Sequence, residues 1–340
     1  MGSHRRLAPS GFDRGAGAAG FAVCVMSAAA AALGALPAAA APQEDTRAEV
    51  DRLYAQAEKA TEAYNKADER ADSLRKEVGT AQDEIARQQE RVNTMRDALG
   101  SLAGAQYRTG GLDASLALLF ADDPGDYLDK AAALDRITVY QAGELKDLQL
   151  AMRDLAQKRE EATGKLAELE RSRKAVAQNK RIVERKLAKA QQLLNSLPDA
   201  VRDAYDRASR SARADMPDLG GVVPSSARAA AAVAAARSAL GRPYVWGANG
   251  PGGFDCSGLV QWSYAQVGVG LPRTSQAQQY AGHQVPLSQA QPGDLVTYRS
   301  DASHIAMYMG NGQVIHAPYP GAPVRYDPVG MMPIASVTRV

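Results

Sequence analysis

The sequence predicts a long α-helical hairpin followed by a separate α+β domain. In residues 42–197, apolar residues recur at alternating spacings of three and four, and this part contains neither tryptophan nor cysteine. Beyond residue 226 the composition changes, because both tryptophans and three of the four histidines lie there. A sustained 3-4 spacing is typical of coiled-coil helices, and a mixed composition over about 115 residues suffices for an independent core.

Two runs carry the helical pattern. The first extends from Val50 to Leu102 and is interrupted by Gln88; the second extends from Leu145 to Leu197 and is interrupted by three basic residues. Each run corresponds to a helix roughly 80 Å long, at about 1.5 Å per residue. Their equal lengths favour an antiparallel hairpin within one chain, with pairing between chains as the alternative. We assign residues 42–197 to this coiled-coil domain.

Between the runs, Gly110-Gly111 and Pro124-Gly125 break the helical pattern. The stretch contains a cluster of large apolar residues: Leu112, Leu116, Leu118, Leu119 and Phe120. Two interpretations stay open, because such a cluster needs burial. Either the tip of the hairpin packs on itself, or it docks onto the second domain or a partner such as a membrane or divisome protein.

The N-terminus is typical of an export signal. A basic stretch with Arg5 and Arg6 precedes an uncharged run from Gly15 to Ala41 that ends in small residues. We predict a signal peptide over residues 1–41, cleaved near Ala40, and hence a secreted, cell-wall-associated protein. A retained membrane anchor is the alternative. The net charge is +2 with basic and acidic residues interleaved, so no nucleic-acid partner is expected.

Removal of residues 1–41 would leave Cys256 as the single cysteine. A single cysteine cannot form an internal disulfide, so in an exported protein it is either intermolecular or reactive. Residues 198–226 form a linker with Pro217 and Pro224 among its breaks, and the second domain, 227–340, begins with an alanine-rich helix.

Cys256 has the surroundings of a nucleophile. It precedes an apolar pattern that predicts a helix closed by Gly268. In the first turn of that helix, free N–H groups and the helix dipole favour the thiolate, which is the reactive form. A buried structural cysteine would more commonly lie in the middle of the apolar face.

Three histidines could act as the base. We predict that His283, among turn residues, is a surface histidine. His304 and His316 flank a hairpin whose tip is Gly310-Asn311-Gly312. A two-residue turn would place them on opposite faces of the sheet, whereas a three-residue loop pairs 304 with 318 and brings them to one face. We predict the three-residue loop, which gives a Cys–His pair and an orienting third group.

Two alternatives compete with this prediction. One cysteine and two histidines could bind zinc, although their spacing resembles no short ligand motif. The domain could also be inert, with the histidines in core or surface positions.

The motifs "GRPYVWGANGPGGFDCSGLVQWSYAQVGVGLPRTSQAQ", "QPGDLVTY" and "SHIAMYMGNGQVIHAP" resemble the NlpC-type cell-wall cysteine peptidases over nearly all of 227–340. The stretch "YRTGGLDASLALLFADDPGDYLD" resembles the coiled-coil half of secreted actinobacterial endopeptidases of the Rip type. The first resemblance implies a papain-like α+β domain, an antiparallel sheet packed on helices. It also implies hydrolysis of peptidoglycan stem peptides between D-glutamate and diaminopimelate, with no cofactor or metal.

The resemblance also assigns roles by position. Cys256 corresponds to the nucleophile, His304 to the base and His316 to the polar residue that orients the base, a position where relatives also carry Glu, Asn or Gln. The positions that correspond to the substrate groove are Tyr244, Asp255, Ser257, Arg273 and Ser275. Arg273 could bind a stem-peptide carboxylate.

Structural roles compete for most of the groove residues. Capping is the alternative for Asp255 and Ser257, and a surface turn for Arg273 and Ser275. We interpret Gly293 and Asp294 as turn residues rather than catalysts.

The sequence thus predicts a secreted cysteine endopeptidase that acts in wall remodelling or daughter-cell separation, with a hairpin that regulates access to the site. The alternatives are a non-catalytic scaffold or activator of wall hydrolysis, and an acyltransferase that uses the same residues.

Overall fold

The computed structural model describes residues 41–108, 124–203 and 223–340. The predicted signal peptide, the apolar tip cluster and residues 204–222 of the predicted linker lie outside these ranges. Within the described ranges, no helix is both long and apolar enough to cross a membrane.

The N-terminal half is an antiparallel helical hairpin, as predicted. Helix α1 spans Ala41–Arg108 and α2 spans Pro124–Asn195. Arg70 Nε donates to Glu168 over 2.8 Å, while Lys158 Nζ donates to Glu84 over 3.2 Å, so residue numbers rise along one helix as they fall along the other. Helix α1 extends beyond its apolar run at both ends, whereas α2 begins well before its run and ends two residues short of Leu197.

The interface between the helices uses the predicted apolar positions. Small buried clusters form along it, such as the one that joins Leu74 to Leu169 and the one that joins Val92 to Leu148. The interruption at Gln88 has a structural reason: its Nε2 donates to the carbonyl oxygen of Ala151 on the facing helix over 3.3 Å. Hydrogen bonding therefore satisfies the one polar residue in the first run.

The C-terminal domain is an antiparallel sheet packed on helices. The sheet order is β1-β6-β2-β3-β4-β5, and every strand pairs antiparallel with its neighbours. The strands are β1 His283–Gln284, β2 Leu295–Tyr298, β3 His304–Gly310, β4 Gln313–His316, β5 Arg325–Pro328 and β6 Ile334–Arg339. The helices are α3 Ala227–Ser238, α4 Cys256–Ala265 and α5 Ser275–Gln278, with a short 3₁₀ helix at Leu287–Gln289.

The main core lies between α3, α4 and one face of the sheet. Leu259 and Val260 of α4 and Ile305 of β3 are almost completely buried there, together with Ala232 and Ala236 of α3. Because strand side chains alternate between faces, the neighbours of Ile305 pack on the opposite side, where Val296 and Ala306 form a second cluster.

The register of the β3–β4 hairpin is the predicted one, but the turn is shorter than predicted. Met307 pairs with Ile315, which is the register that aligns 304 with 318. Gly310 nevertheless pairs with Gln313, so the turn itself contains only Asn311 and Gly312, and a bulge between Tyr308 and Gly310 shifts the register. The extra residue is accommodated in the strand instead of the loop, with the same result for the two histidines.

Candidate active site

Cys256 is the first residue of α4, as predicted. Asp255 caps the helix, because the backbone N–H of Gly258 donates to its Oδ1 over 2.6 Å. A Cβ atom at Gly258 would lie 2.2 Å from the carbonyl oxygen of Ala248. Glycine at this position therefore permits the first turn of α4, which carries the thiol, to pack closely against the backbone of Ala248.

Asp255 is fully buried and is paired with Arg273. The guanidinium donates through Nη1 to Oδ1 over 3.0 Å and through Nη2 to Oδ2 over 2.6 Å. Gly247 N and Asn65 Nδ2 also donate to Oδ2. A buried carboxylate requires such partners. The capping role kept as an alternative for Asp255 is thus present, and the fork of Arg273 is already filled, so its binding to a substrate carboxylate stays a prediction.

His304 and His316 lie on one side of the sheet and form a chain with a third residue, Asp327 in β5. His304 Nε2 is 2.8 Å from His316 Nδ1, and His316 Nε2 is 2.8 Å from Asp327 Oδ2. Arg325 Nε donates to the same carboxylate oxygen over 2.8 Å. The hydrogen bonds that start at His304 therefore end on an anion that is itself held in place.

This chain defines which nitrogen of His304 can act as a base. An ionised carboxylate only accepts, so His316 Nε2 must donate to Asp327. Burial lowers the pKa of His316 to about 4, against the opposing effect of Asp327, and a neutral His316 accepts at Nδ1 from His304 Nε2. His304 Nδ1 is then free to accept a proton. It is buried and lies 3.3 Å from Oε1 of Glu58 in α1, an oxygen that can pair with it only when this nitrogen carries a proton.

One face of α1 covers this site. We call residues 54–65 the docking segment. The ring of Tyr54 stacks on Tyr319 with centroids 4.9 Å apart, and the ring of Tyr64 meets Trp246 edge-on at 5.2 Å. Between them, Glu58 and Glu62 are almost completely buried. Their spacing of four residues points both carboxylates at the same surface.

Glu62 lies over the thiol. Ser257 Oγ donates to its Oε1 over 2.7 Å, and the backbone N–H of Ser275 donates to its Oε2 over 2.7 Å. Cys256 Sγ is 3.8 Å from Oε1. Burial, and then the negative charge of Asp255, raise the pKa of Glu62 to about 7.

Glu58 lies at the free nitrogen of His304. Its Oε1 is 3.3 Å from His304 Nδ1, and its Oε2 accepts from Arg299 Nη1 over 2.5 Å. Burial opposes ionisation of Glu58, but His304 and Arg299 outweigh it and lower the pKa of this carboxyl. An anion therefore occupies the space beside the predicted base.

The expected stabilisation of the Cys256 thiolate is absent where α1 covers the thiol. Burial raises the pKa of the thiol well above its usual range, and the charges of Glu62, Asp255 and Glu58 add to this effect. The prediction from the helix N-terminus is thus wrong for this covered site, because desolvation and three nearby carboxyl groups outweigh the first-turn N–H groups.

The other predicted residues fall around this centre. Tyr244 is buried, and burial together with the nearby Cys256 raises its pKa well above the usual range. Ser275 Oγ donates to the carbonyl oxygen of Ala302 over 2.6 Å, so it is a buried residue rather than a surface turn. His283 is exposed, as predicted.

Gly293 and Asp294 form the turn before β2, as interpreted. Gly293 has a φ of +102°, and its carbonyl oxygen accepts from Tyr264 Oη over 2.7 Å. Asp294 accepts from the backbone N–H of Gln291 and from Arg339. Across the described ranges, no group of three or more His, Cys, Asp or Glu side chains could hold a metal ion.

The sequence interpretation missed Asp327, Arg299, Glu58, Glu62 and Asn65. The two hairpin glutamates lie beside the apolar seam of α1, where charged residues ordinarily face solvent, so no local signal marks them. Asp327 could have been inferred from the register of a third strand, which requires knowing where β5 begins.

Comparison with known proteins places the C-terminal part in a family. Residues 241–336 match the NlpC/P60 family. "Probable endopeptidase Rv2190c" of Mycobacterium tuberculosis is 48% identical over 116 residues, which are 34% of this chain and 30% of that protein. "Probable endopeptidase Cgl2188" of Corynebacterium glutamicum is 47% identical over 116 residues, which cover 56% of its length. The chain thus spans about a third to a half of these curated relatives.

Among solved structures, the NlpC/p60 domain of the peptidoglycan hydrolase SagA is 39% identical, with a TM-score of 0.32; the alignment covers 33% of this chain and 98% of that one. The family match is confined to 241–336, so the resemblance of the N-terminal half to Rip-type proteins stays an expectation. The C-terminal part of this chain is an NlpC/P60 domain.

Proposed function

We propose that this chain is an exported cysteine endopeptidase that hydrolyses peptidoglycan stem peptides, and that the docking segment closes its site. One observation carries the proposal. A single turn of α1 puts Glu62 on the Cys256 thiol and Glu58 at the free nitrogen of His304. The two predicted catalytic groups therefore border one cleft, and the hairpin fills that cleft with two carboxyl groups.

The proposed reaction is acyl transfer through the thiol. His304 Nδ1 accepts the thiol proton, and the thiolate attacks the scissile carbonyl carbon to form a thioester. The protonated His304 returns its proton to the leaving amine as the C–N bond breaks. His304 then deprotonates a water molecule, which hydrolyses the thioester and regenerates the thiol. His316 and Asp327 hold the imidazole and stabilise its positive charge.

The proposed substrate bond lies between D-glutamate and diaminopimelate, as the resemblance implies. The match to the NlpC/P60 family and the endopeptidase names of relatives support cleavage within a peptide, and the resemblance supplies the wall peptide. Action in wall remodelling or daughter-cell separation follows from the same proposal, as does export by residues 1–41.

The proposed regulation has two steps. While docked, the segment excludes substrate and keeps the thiol protonated; release exposes the thiol and frees His304. A membrane or divisome partner at the far end of the hairpin would drive release. Large apolar side chains are exposed towards that end: Tyr107, Leu128, Ile137, Val139 and Tyr140. Exposed apolar surface of this kind is typical of a contact site.

The test of the reaction uses the full chain with a released hairpin. Glu58→Lys/Glu62→Lys places a cation against Arg299 and another beside Arg273, so the segment cannot dock. This released variant is incubated with muropeptides, and the products are identified by mass. We expect cleavage between glutamate and diaminopimelate, and none when Cys256→Ala is added.

The outcomes separate the alternatives. Products that carry a new acyl acceptor in place of water would identify an acyltransferase. A folded released variant that cleaves nothing, although its thiol reacts with iodoacetamide, would contradict the enzyme proposal and favour the scaffold.

A further inference from the structure

Arg299 shares a carboxylate partner with the predicted base, and that partner, Glu58, comes from the hairpin. Its Nη1 donates to Glu58 Oε2 over 2.5 Å and to Ser303 Oγ over 3.2 Å. In the described part of the chain, no carboxylate of its own domain forms an ion pair with it. Release of the docking segment would therefore leave a partly buried guanidinium without its anion.

Other arginines near the site do not share this property. Arg273 is bidentate to the buried Asp255, and Arg325 donates to Asp327. Both partners belong to the domain itself, so these ion pairs survive release of the hairpin. Of these three arginines, Arg299 is the one that loses its anionic partner when the hairpin is released.

The backbone around Arg299 is also unusual. Its φ is +63° and that of Ala302 is +49°, both in the left-handed region that non-glycine residues seldom adopt. The turn is held by Arg299 N donating to Pro333 O over 2.8 Å and by Ala302 N donating to Arg299 O over 3.0 Å. Such conformations cost energy and cluster at functional sites. This turn leads directly into His304.

The Glu58 carboxylate bridges Arg299 and the base, so the two groups are one carboxylate apart. One oxygen accepts from Arg299, while the other is 3.3 Å from His304 Nδ1. A carboxylate bound to Arg299 thus lies next to the nitrogen that would protonate the leaving amine. The part of the substrate that carries this amine lies closest to that nitrogen, so its carboxylate is the one that can reach Arg299.

We propose that Arg299 binds a free carboxylate of the diamino acid that supplies the leaving amine, and that Glu58 occupies this subsite until the hairpin is released. The inference rests on the proposed function. A diaminopimelyl residue carries a carboxylate at the far end of its side chain, where a lysyl residue has none and an amidated diaminopimelyl residue has a neutral group. Pairing of a guanidinium with this carboxylate would select among the three.

The test compares three stem peptides that differ only at the diamino acid: diaminopimelyl, amidated diaminopimelyl and lysyl. In the released variant we expect kcat/KM for the first to exceed the other two by about 10- to 100-fold, the range for one charge-assisted hydrogen-bonded pair. Adding Arg299→Gln should remove this preference, mainly through KM, and leave the lysyl peptide unaffected. Arg242→Gln, which removes an exposed charge from the same domain, should change none of the ratios.

Two results would overturn the inference. One is an equal loss of activity on all three peptides in Arg299→Gln, which would indicate a structural role. The other is retention of the diaminopimelyl preference in that variant. In both cases cleavage itself persists, so the proposed function stands.

A binding measurement decides the case in which no peptide is cleaved. Calorimetry with the released variant that also carries Cys256→Ala compares the diaminopimelyl and lysyl peptides with and without Arg299→Gln. A carboxylate preference that depends on Arg299 would support the subsite even though the proposed reaction fails. Equal binding of both peptides would reject it.

Discussion

Docking of the hairpin should weaken as the pH rises, because Glu62 is held near its neutral form in the docked state. Its pKa is about 7 there, whereas its ordinary value is 4.5. The charged or titratable groups that face it are Asp255, Cys256 and Arg273. Because docking raises this pKa, the contribution of Glu62 to the free energy of docking is fully present below pH 4.5 and is lost as the pH rises through 7.

The size of the effect follows from the two pKa values. Between about pH 5.5 and about pH 8, the docking equilibrium constant should fall about 30-fold, or about 2 kcal/mol. Glu62→Gln keeps the shape of the neutral side chain and cannot ionise. Its docking should therefore be insensitive to Glu62 titration across this range.

Alkylation of Cys256 by iodoacetamide measures this constant, since the buried thiol reacts when the segment is released. The intrinsic reactivity of the released thiol, and the titration of all other groups, cancel in the ratio of wild-type to Glu62→Gln rates. We expect that ratio to rise about 30-fold from about pH 5.5 to about pH 8. A ratio that stays constant would refute the reasoning and would mean that Glu62 is ionised when docked.

Three further predictions concern the domain. Asp327→Asn should lower kcat of the released variant by roughly 100-fold with little change in KM, because the anion that orders the histidine chain is lost; an unchanged kcat would show that this chain has no part in the reaction. The pKa of His316 is about 4 in the folded protein and 6.5 ordinarily. The unfolded chain therefore binds the proton first, and the free energy of unfolding should fall by about 3 kcal/mol as the pH falls from 6.5 to 4. Urea unfolding of wild type and His316→Gln should differ in that window, and parallel curves would contradict it. Gly258→Ala should destabilise by about 3 kcal/mol through the clash with Ala248 O, whereas Gly164→Ala, in open space on α2, should be neutral or stabilising; equal melting temperatures would contradict the packing argument.

The parts of the fold that depend on local pattern were predictable. The apolar seams of α1 and α2, the helix that begins at Cys256 and the register of the β3–β4 hairpin all follow from spacing and turn residues. The bulge that produces this register could not be predicted, because Gly310, Asn311 and Gly312 all adopt positive φ and permit either loop length.

The electrostatic state of the site could not be predicted from the sequence. It depends on Glu58 and Glu62, which lie 198 and 194 residues before the thiol. Their positions on α1 are indistinguishable from a solvated face until the domain is packed against them. The helix N-terminus alone predicts a reactive thiolate, whereas the docked carboxylates favour the opposite.

We expect the hairpin of this chain to close its own, otherwise competent, cysteine site. The most direct test compares rates of muropeptide cleavage by the wild-type full chain, by Glu58→Lys/Glu62→Lys, and by Glu90→Lys/Glu160→Lys, which makes the same charge change at exposed hairpin positions. We predict a rate at least about tenfold higher for the first variant than for wild type, which corresponds to about 1.4 kcal/mol, and a wild-type rate for the control. Equal rates in all three proteins would contradict closure by the hairpin.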